Sequence, residues 1–195
     1  NDRADAAGGA CNSPPFLRIE ASPRGLRWPE LPHDDPEAVE RVRARLPWYV
    51  PHMAVEGPTI SGDGIQVFSS AYPFLVALAE TDDRLVYSMV KVMLEHFNEY
   101  KGNAPGANGW SIDRQKFDQA FVPYHPGAIR YFKEIGVWTE SAEKINQANL
   151  HRQQVLQDAW QSYLPNAPEG YQAFEDGWLR AREAALETAG LITLG

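Results

Sequence analysis

Residues 122–138, VPYHPGAIRYFKEIGVW, constrain this chain most, because the run carries its own start and stop signals. Proline suits the first position of a helix, where its missing N–H has no partner to lose and its fixed φ is already helical. Pro126 therefore opens a helix, and His125 falls at or just before the N-cap. Ile129, Phe132 and Ile135 recur at spacings of three and predict one apolar stripe, with Arg130, Lys133 and Glu134 on the opposite face. Gly136 supplies the left-handed residue that ends such a helix, and Trp138 follows as an aromatic anchor. His125, Pro126, Gly127 and Gly136 thus form a structural motif. His125 has two readings: a catalytic base, which needs a positioned partner, or an N-cap or loop residue bonded to a carbonyl, which needs nothing more. Tyr124 and Tyr131 read as packing residues with satisfied hydroxyls.

Other elements follow from similar punctuation. Gly8 and Gly9 lie in a small-residue loop between the end of a strand and a helix opened by Ser13, Pro14 and Pro15. They are either a turn that needs positive φ or a place where backbone N–H groups approach a bound carboxylate. Residues 25–28 suggest a short strand, and Asp35 caps a helix begun by Pro36 and stopped by Pro47. Residues 47–64, rich in Pro and Gly, read as a loop-dominated crossing with Trp48 and Tyr49 plugged into something apolar. Strands are expected at 65–68 and at 74–79, the second a near-continuous apolar run of the kind found in buried central strands. Thr81, Asp82 and Asp83 cap a helix over 84–100 with Val86, Met89, Val90, Met93 and Phe97 inward. A further helix restarts at Ser111 and runs through Ile112 and Phe117. Thr139 caps a long helix to Leu164, and a last one spans about 169–189 with Phe174, Trp178 and Leu186 as its stripe. His33 and His52 have no partners at ligand spacing and read as exposed loop residues.

Composition narrows the function classes. A chain of 195 residues with 44% hydrophobic and 23% charged residues can bury a core. A net charge of −8 argues against a nucleic-acid surface or a polybasic membrane anchor. Nothing approaches the roughly 18 consecutive apolar residues of a membrane span, so no membrane insertion or signal segment is expected. The single cysteine, Cys11, excludes an internal disulfide and a multi-cysteine metal site. No G-x-S-x-G, H-E-x-x-H, P-loop or G-x-G-x-x-G occurs, and neither metal nor cofactor is expected.

The run PYHPGAxRYxxExG with the following VWT and QANLHRQQVLQDAW resembles the C-terminal part of the TAXI group of TRAP-transporter substrate-binding proteins. So do DAAGGACNSPPFLRIEASPRGLRW near the start and YPFLVALAETDDRLVYSMVKVMLEHF in the middle. The resemblance implies an α/β chain forming part of a type II periplasmic binding-protein fold with two lobes and several C-terminal helices. Residues 1–66 would then belong to lobe 2, 67–138 to the hinge return and lobe 1, and 139–195 to helices wrapping the lobes. It implies a periplasmic receptor that closes on a small organic, carboxylate-bearing solute through Gly8, Gly9, Asn12 and Tyr72 and delivers it to the permease. Family members carry roughly a further half domain before the DAAGG segment. That portion, or another chain, is expected to cover surfaces left open here. Two alternatives remain from other classes: an enzyme fragment using His125 as base, and a non-transport interaction subunit on the same fold.

Overall fold

The computed structural model describes residues 6–70, 74–104 and 106–193. Among these the chain is mainly helical, in the order α1 (Pro14–Glu20), α2 (Pro36–Arg45), β1 (Val50–Ala54), β2 (Ile65–Ser69), α3 (Asp83–Glu95), α4 (Phe97–Tyr100), α5 (Pro126–Glu134), α6 (Glu140–Tyr163) and α7 (Tyr171–Thr188). Short 3-10 turns at Ala107–Trp110, Ile112–Arg114 and Phe117–Gln119 fill the stretch before α5. The strands β1 and β2 pair antiparallel, with His52 opposite Val67.

Helix α5 lies at the centre of the largest core, and its punctuation is as the sequence predicts. His125 is the N-cap, its Nδ1 accepting the Gly127 N–H at 3.2 Å. Pro126 is the first helical residue, and Gly136 ends the helix at φ +75°. The stripe is different. Gly127, Ala128, Tyr131 and Phe132 are buried, while Ile135 is 39% exposed. With about 3.6 residues per turn, a strict spacing of three falls roughly 60° behind at each step, so the row has turned away from the core by Ile135.

Gly127 sets the crossing with α3. A Cβ there would collide with the Asp83 carbonyl oxygen and stand 3.0 Å from the Tyr87 amide nitrogen. The two backbones touch, and around the contact gather Val86, Tyr87, Val90, Leu94, Phe117, Tyr124 and Trp138. Phe132 and Trp138 lie nearly parallel with centroids 6.3 Å apart, and Phe117 packs 4.7 Å from Phe132. Arg130 covers the outer face of the Tyr87 ring at 4.0 Å.

The first turns of α6 fasten this core. Thr139 caps the helix by accepting the Ala142 N–H at 3.1 Å. Asn146, buried, accepts the Tyr124 N–H at 2.7 Å, and Asn149 donates to the Ala120 carbonyl at 3.0 Å. Glu143 receives Gln147 Nε2 at 2.9 Å, Trp138 Nε1 at 2.8 Å and Lys133 Nζ at 3.1 Å. These donors favour its charged form and hold the carboxyl at about 2. Helix α7 packs principally on α6, through an aromatic group of Trp160, Tyr163, Phe174 and Trp178 and the fully buried Leu186.

Several sequence expectations are overturned. Residues 74–79 form no strand: Phe74, Leu75, Val76 and Leu78 are 45–76% exposed. A buried central strand needs neighbours on both edges and cover on both faces, and the described residues supply neither. Residues 25–28 are likewise unpaired. Conversely β1 lies inside the stretch read as loop, its Pro51 tolerated because one edge of the two-stranded sheet is free. The helix over 84–100 breaks at His96, and its inward face carries Tyr87 and Leu94, whereas Met89 points outward at 49% exposure. The helix expected from Ser111 is two separate 3-10 turns. His33 is tied to β2, its N–H donating to Gln66 Oε1 and its Nε2 2.8 Å from the Val67 carbonyl oxygen.

Candidate functional site

Three loops far apart in sequence meet beside the β1–β2 hairpin. The first leads into α1. Its buried Phe16 packs on Trp28 with centroids 4.8 Å apart, and the Trp28 indole donates to the Pro58 carbonyl at 2.8 Å. The second loop leaves β1 and turns at Gly57, Pro58, Thr59 and Ile60, closed by the Ile60 N–H bonding to the Gly57 carbonyl at 3.2 Å. Proline in the second place of such a turn is favourable, but the third place wants φ > 0 and therefore glycine. Thr59 holds it instead at φ +62°, and among the described residues it alone does so without being glycine. A left-handed β-branched residue is strained by about 1–2 kcal/mol, so packing must hold the turn. Gly57 supplies that hold, since a Cβ on it would stand 3.0 Å from Cys11 Cβ.

This clamp places Glu56. Its Oε2 accepts Asn12 Nδ2 at 3.4 Å and its Oε1 accepts Asn108 Nδ2 at 2.9 Å. Asn108 belongs to the third loop, in the turn Ala107–Trp110 entered through Gly106 at φ +80°. Gly106 lies against Asn12, 3.5 Å from its Nδ2 to where a Cβ would stand. Among the described residues no lysine or arginine pairs with Glu56. The cluster thus presents a carboxylate held by amide donors and open on its outer side.

Of the residues singled out from sequence, Asn12 lies in this cluster. Gly8 and Gly9 are exposed in the loop just before it, and their amides donate to no acceptor among the described residues. Neither has a positive φ, which removes the turn reading. Gly9 is small for another reason, since a Cβ there would press on Phe16 at 2.9 Å. Tyr72 lies outside the described residues. His125, Pro126, Gly127 and Gly136 are at the α3–α5 crossing and are not brought to the cluster. The His125 side chain is only 9% exposed, its Nδ1 is 3.7 Å from Asp83 Oδ1, and its Nε2 is enclosed without a hydrogen-bond partner among the described residues. A base must come within hydrogen-bond reach of its substrate, and this imidazole is closed off as it stands. Cys11 is half-buried, and burial pushes its thiol up, away from the thiolate a nucleophile needs. Among the described residues no three His, Cys, Asp or Glu side chains are placed to hold an ion, and no helix is long and apolar enough to cross a membrane.

Glu56, Asn108 and Thr59 were not singled out by sequence reasoning. The dipeptides Gly57-Pro58 and Asn108-Gly109 mark turns, but no local signal says that two turns 52 residues apart touch.

Comparison with known proteins agrees with a binding chain. No curated protein and no solved structure matches. The NMT1-like family matches residues 31–136, more than half of the chain and two of the three converging loops. This is a family of periplasmic binding-protein-like chains, binding proteins rather than enzymes. The chain belongs to the NMT1-like family.

Proposed function

We propose that this protein is a periplasmic solute receptor of the TAXI group, serving a TRAP-type permease and binding a small organic carboxylate by closure of two lobes. The observation that carries the reading is the family match over 31–136, which spans the loops bearing Glu56 and Asn108 beside Asn12. In a two-lobe receptor of type II fold, the solute contacts bias an equilibrium between open and closed forms, and the permease recognises the closed one. Residues 1–66 then contribute to lobe 2, 67–138 to the hinge return and lobe 1, and 139–195 wrap the lobes. The amides of Gly8 and Gly9, which have no acceptor among the described residues, serve the carboxylate in this reading together with Asn12, and Tyr72 is the fourth residue of the proposed ligand set.

Surface area supports a further partner. The chain exposes 13768 Å², whereas a compact monomer of 21.8 kDa exposes about 9,300 Å². The excess includes the apolar residues 74–79 and the outer row of α3, Leu85, Met89 and Val92. More receptor polypeptide or a second chain covers them in this reading.

Native mass spectrometry of protein purified from the periplasm without refolding tests the proposal. We expect a small organic acid at one per chain. If no solute is found and none rebinds after dialysis, the receptor reading fails and an interaction subunit on the same fold takes its place.

A further inference from the structure

We infer that this chain associates with copies of itself head to tail, the outer row of α3 on one copy lying in the groove between α6 and α7 of the next. The inference is independent of the receptor reading. Two depressions of about 460 Å³ each lie between α6 and α7 and share Ala159, Ser162 and Ala185, so they form one groove. Ala181, Ala184 and Thr188 complete its α7 side. Its hydroxyl donors are already used: Ser162 Oγ donates to the Asp158 carbonyl at 2.9 Å, Thr188 Oγ1 to the Ala184 carbonyl at 2.8 Å, and the Tyr163 hydroxyl to the Phe174 carbonyl at 2.6 Å. Asp158, the one charged residue lining the groove among the described residues, accepts from Gln154 Nε2 at 2.8 Å. What remains is largely methyl surface, which favours an apolar occupant. The groove lies outside residues 31–136, the stretch that matches the family.

The matching shape is on α3. Leu85, Met89 and Val92 stand at i, i+4 and i+7 and are 49–63% exposed, the anchor pattern by which an amphipathic helix fills an apolar groove. Large side chains form the row and small ones line the groove, as a ridge meets a furrow in helix packing. The lengths agree as well, since Leu85 to Val92, Val155 to Ser162 and Ala181 to Thr188 each rise about 10.5 Å. Within one copy the row and the groove do not meet, because α3 packs on α5 and α7 on α6. A small apolar molecule needs most of its surface enclosed, which an open groove does not provide, whereas a helix closes the opening with its own backbone. Each copy gives up two patches. At about 800 Å² a patch, they take about 1,600 Å² of the excess of about 4,500 Å² over a compact monomer. The two patches are unlike, so the contact is heterologous and growth continues past a dimer unless a ring closes.

Sedimentation velocity of the full chain over a range of concentrations tests this, and we expect species that grow with concentration. Met89→Glu puts a charge in the row and Ser162→Arg obstructs the groove, both at exposed positions. Each alone should weaken self-association about tenfold or more, with an unchanged circular dichroism spectrum. An equal mixture of the two should form a one-to-one hybrid, the intact row of the Ser162→Arg copy seated in the intact groove of the Met89→Glu copy. A monomer at every concentration overturns the inference and leaves both surfaces to other polypeptide. Association indifferent to Ser162→Arg means that α3 meets another surface, such as its own equivalent. Indifference to Met89→Glu means that groove meets groove. Either result overturns the inference, as does a mixture that forms no hybrid. Should a variant not fold, Leu85→Glu or Ala184→Arg takes its place in the same mixture.

Discussion

Gly127 and Gly136 bracket the same helix and answer to different forces. Gly136 is open on all sides, so alanine there meets only the penalty of φ +75°, about 1 kcal/mol. Alanine at Gly127 drives a methyl group into the Asp83 carbonyl and forces α3 and α5 apart, with a penalty of about 1–3 kcal/mol typical of overpacking. Urea unfolding should therefore show both variants less stable, Gly127→Ala more so, with solute affinity retained. A neutral Gly127→Ala would mean that the helices slide apart freely. Proline, glycine and cap residues announced themselves in the sequence because their constraint is local to the backbone. That Gly127 is a contact glycine was hidden, since the obstructing atoms belong to a helix some forty residues earlier. Glu56 was hidden for the same reason, as its partners arrive from both directions along the chain.

Among the elements, α6 shows how one helix fastens another. Its Glu143 gathers donors from its own next turn, from Trp138 and from α5 through Lys133. With a folded value of about 2 against an ordinary 4.5, the charged form is the one folding favours. The resulting stability is present above pH 4.5 and is lost as pH falls toward 2. The melting temperature, followed by circular dichroism, should drop more steeply across that interval in the native protein than in Glu143→Gln; parallel curves would remove Glu143 from this role. Residues 74–79 mark the limit of element-scale reading. Their apolar pattern states correctly that the segment wants burial, but strand formation also requires backbone partners, which a pattern cannot supply. Helices satisfy their own backbone, and α5, α6 and α7 came through from sequence with little error.

For the molecule as a whole, surface is the dominant fact. An excess of about 4,500 Å² over a compact monomer exceeds what a standard interface of about 800 Å² per partner removes, and the receptor proposed above assigns it to cover by further polypeptide on the scale of an obligate interface. Light scattering on the isolated chain should show self-association or a polydisperse state. A monodisperse, cooperatively melting monomer would refute the need for added polypeptide. The one-sided attachment of α7 has a consequence in time. The core around Phe132 is complete in sequence once Trp138 has been made, and α7 packs principally on α6. At about 5–20 residues per second, the stretch from Trp138 to the end of α7 at Thr188 takes roughly two and a half to ten seconds to emerge, during which the earlier residues can already have settled. Helix α7 then arrives after that core, and docks on a neighbour rather than taking part in the decision of how the earlier residues should fold.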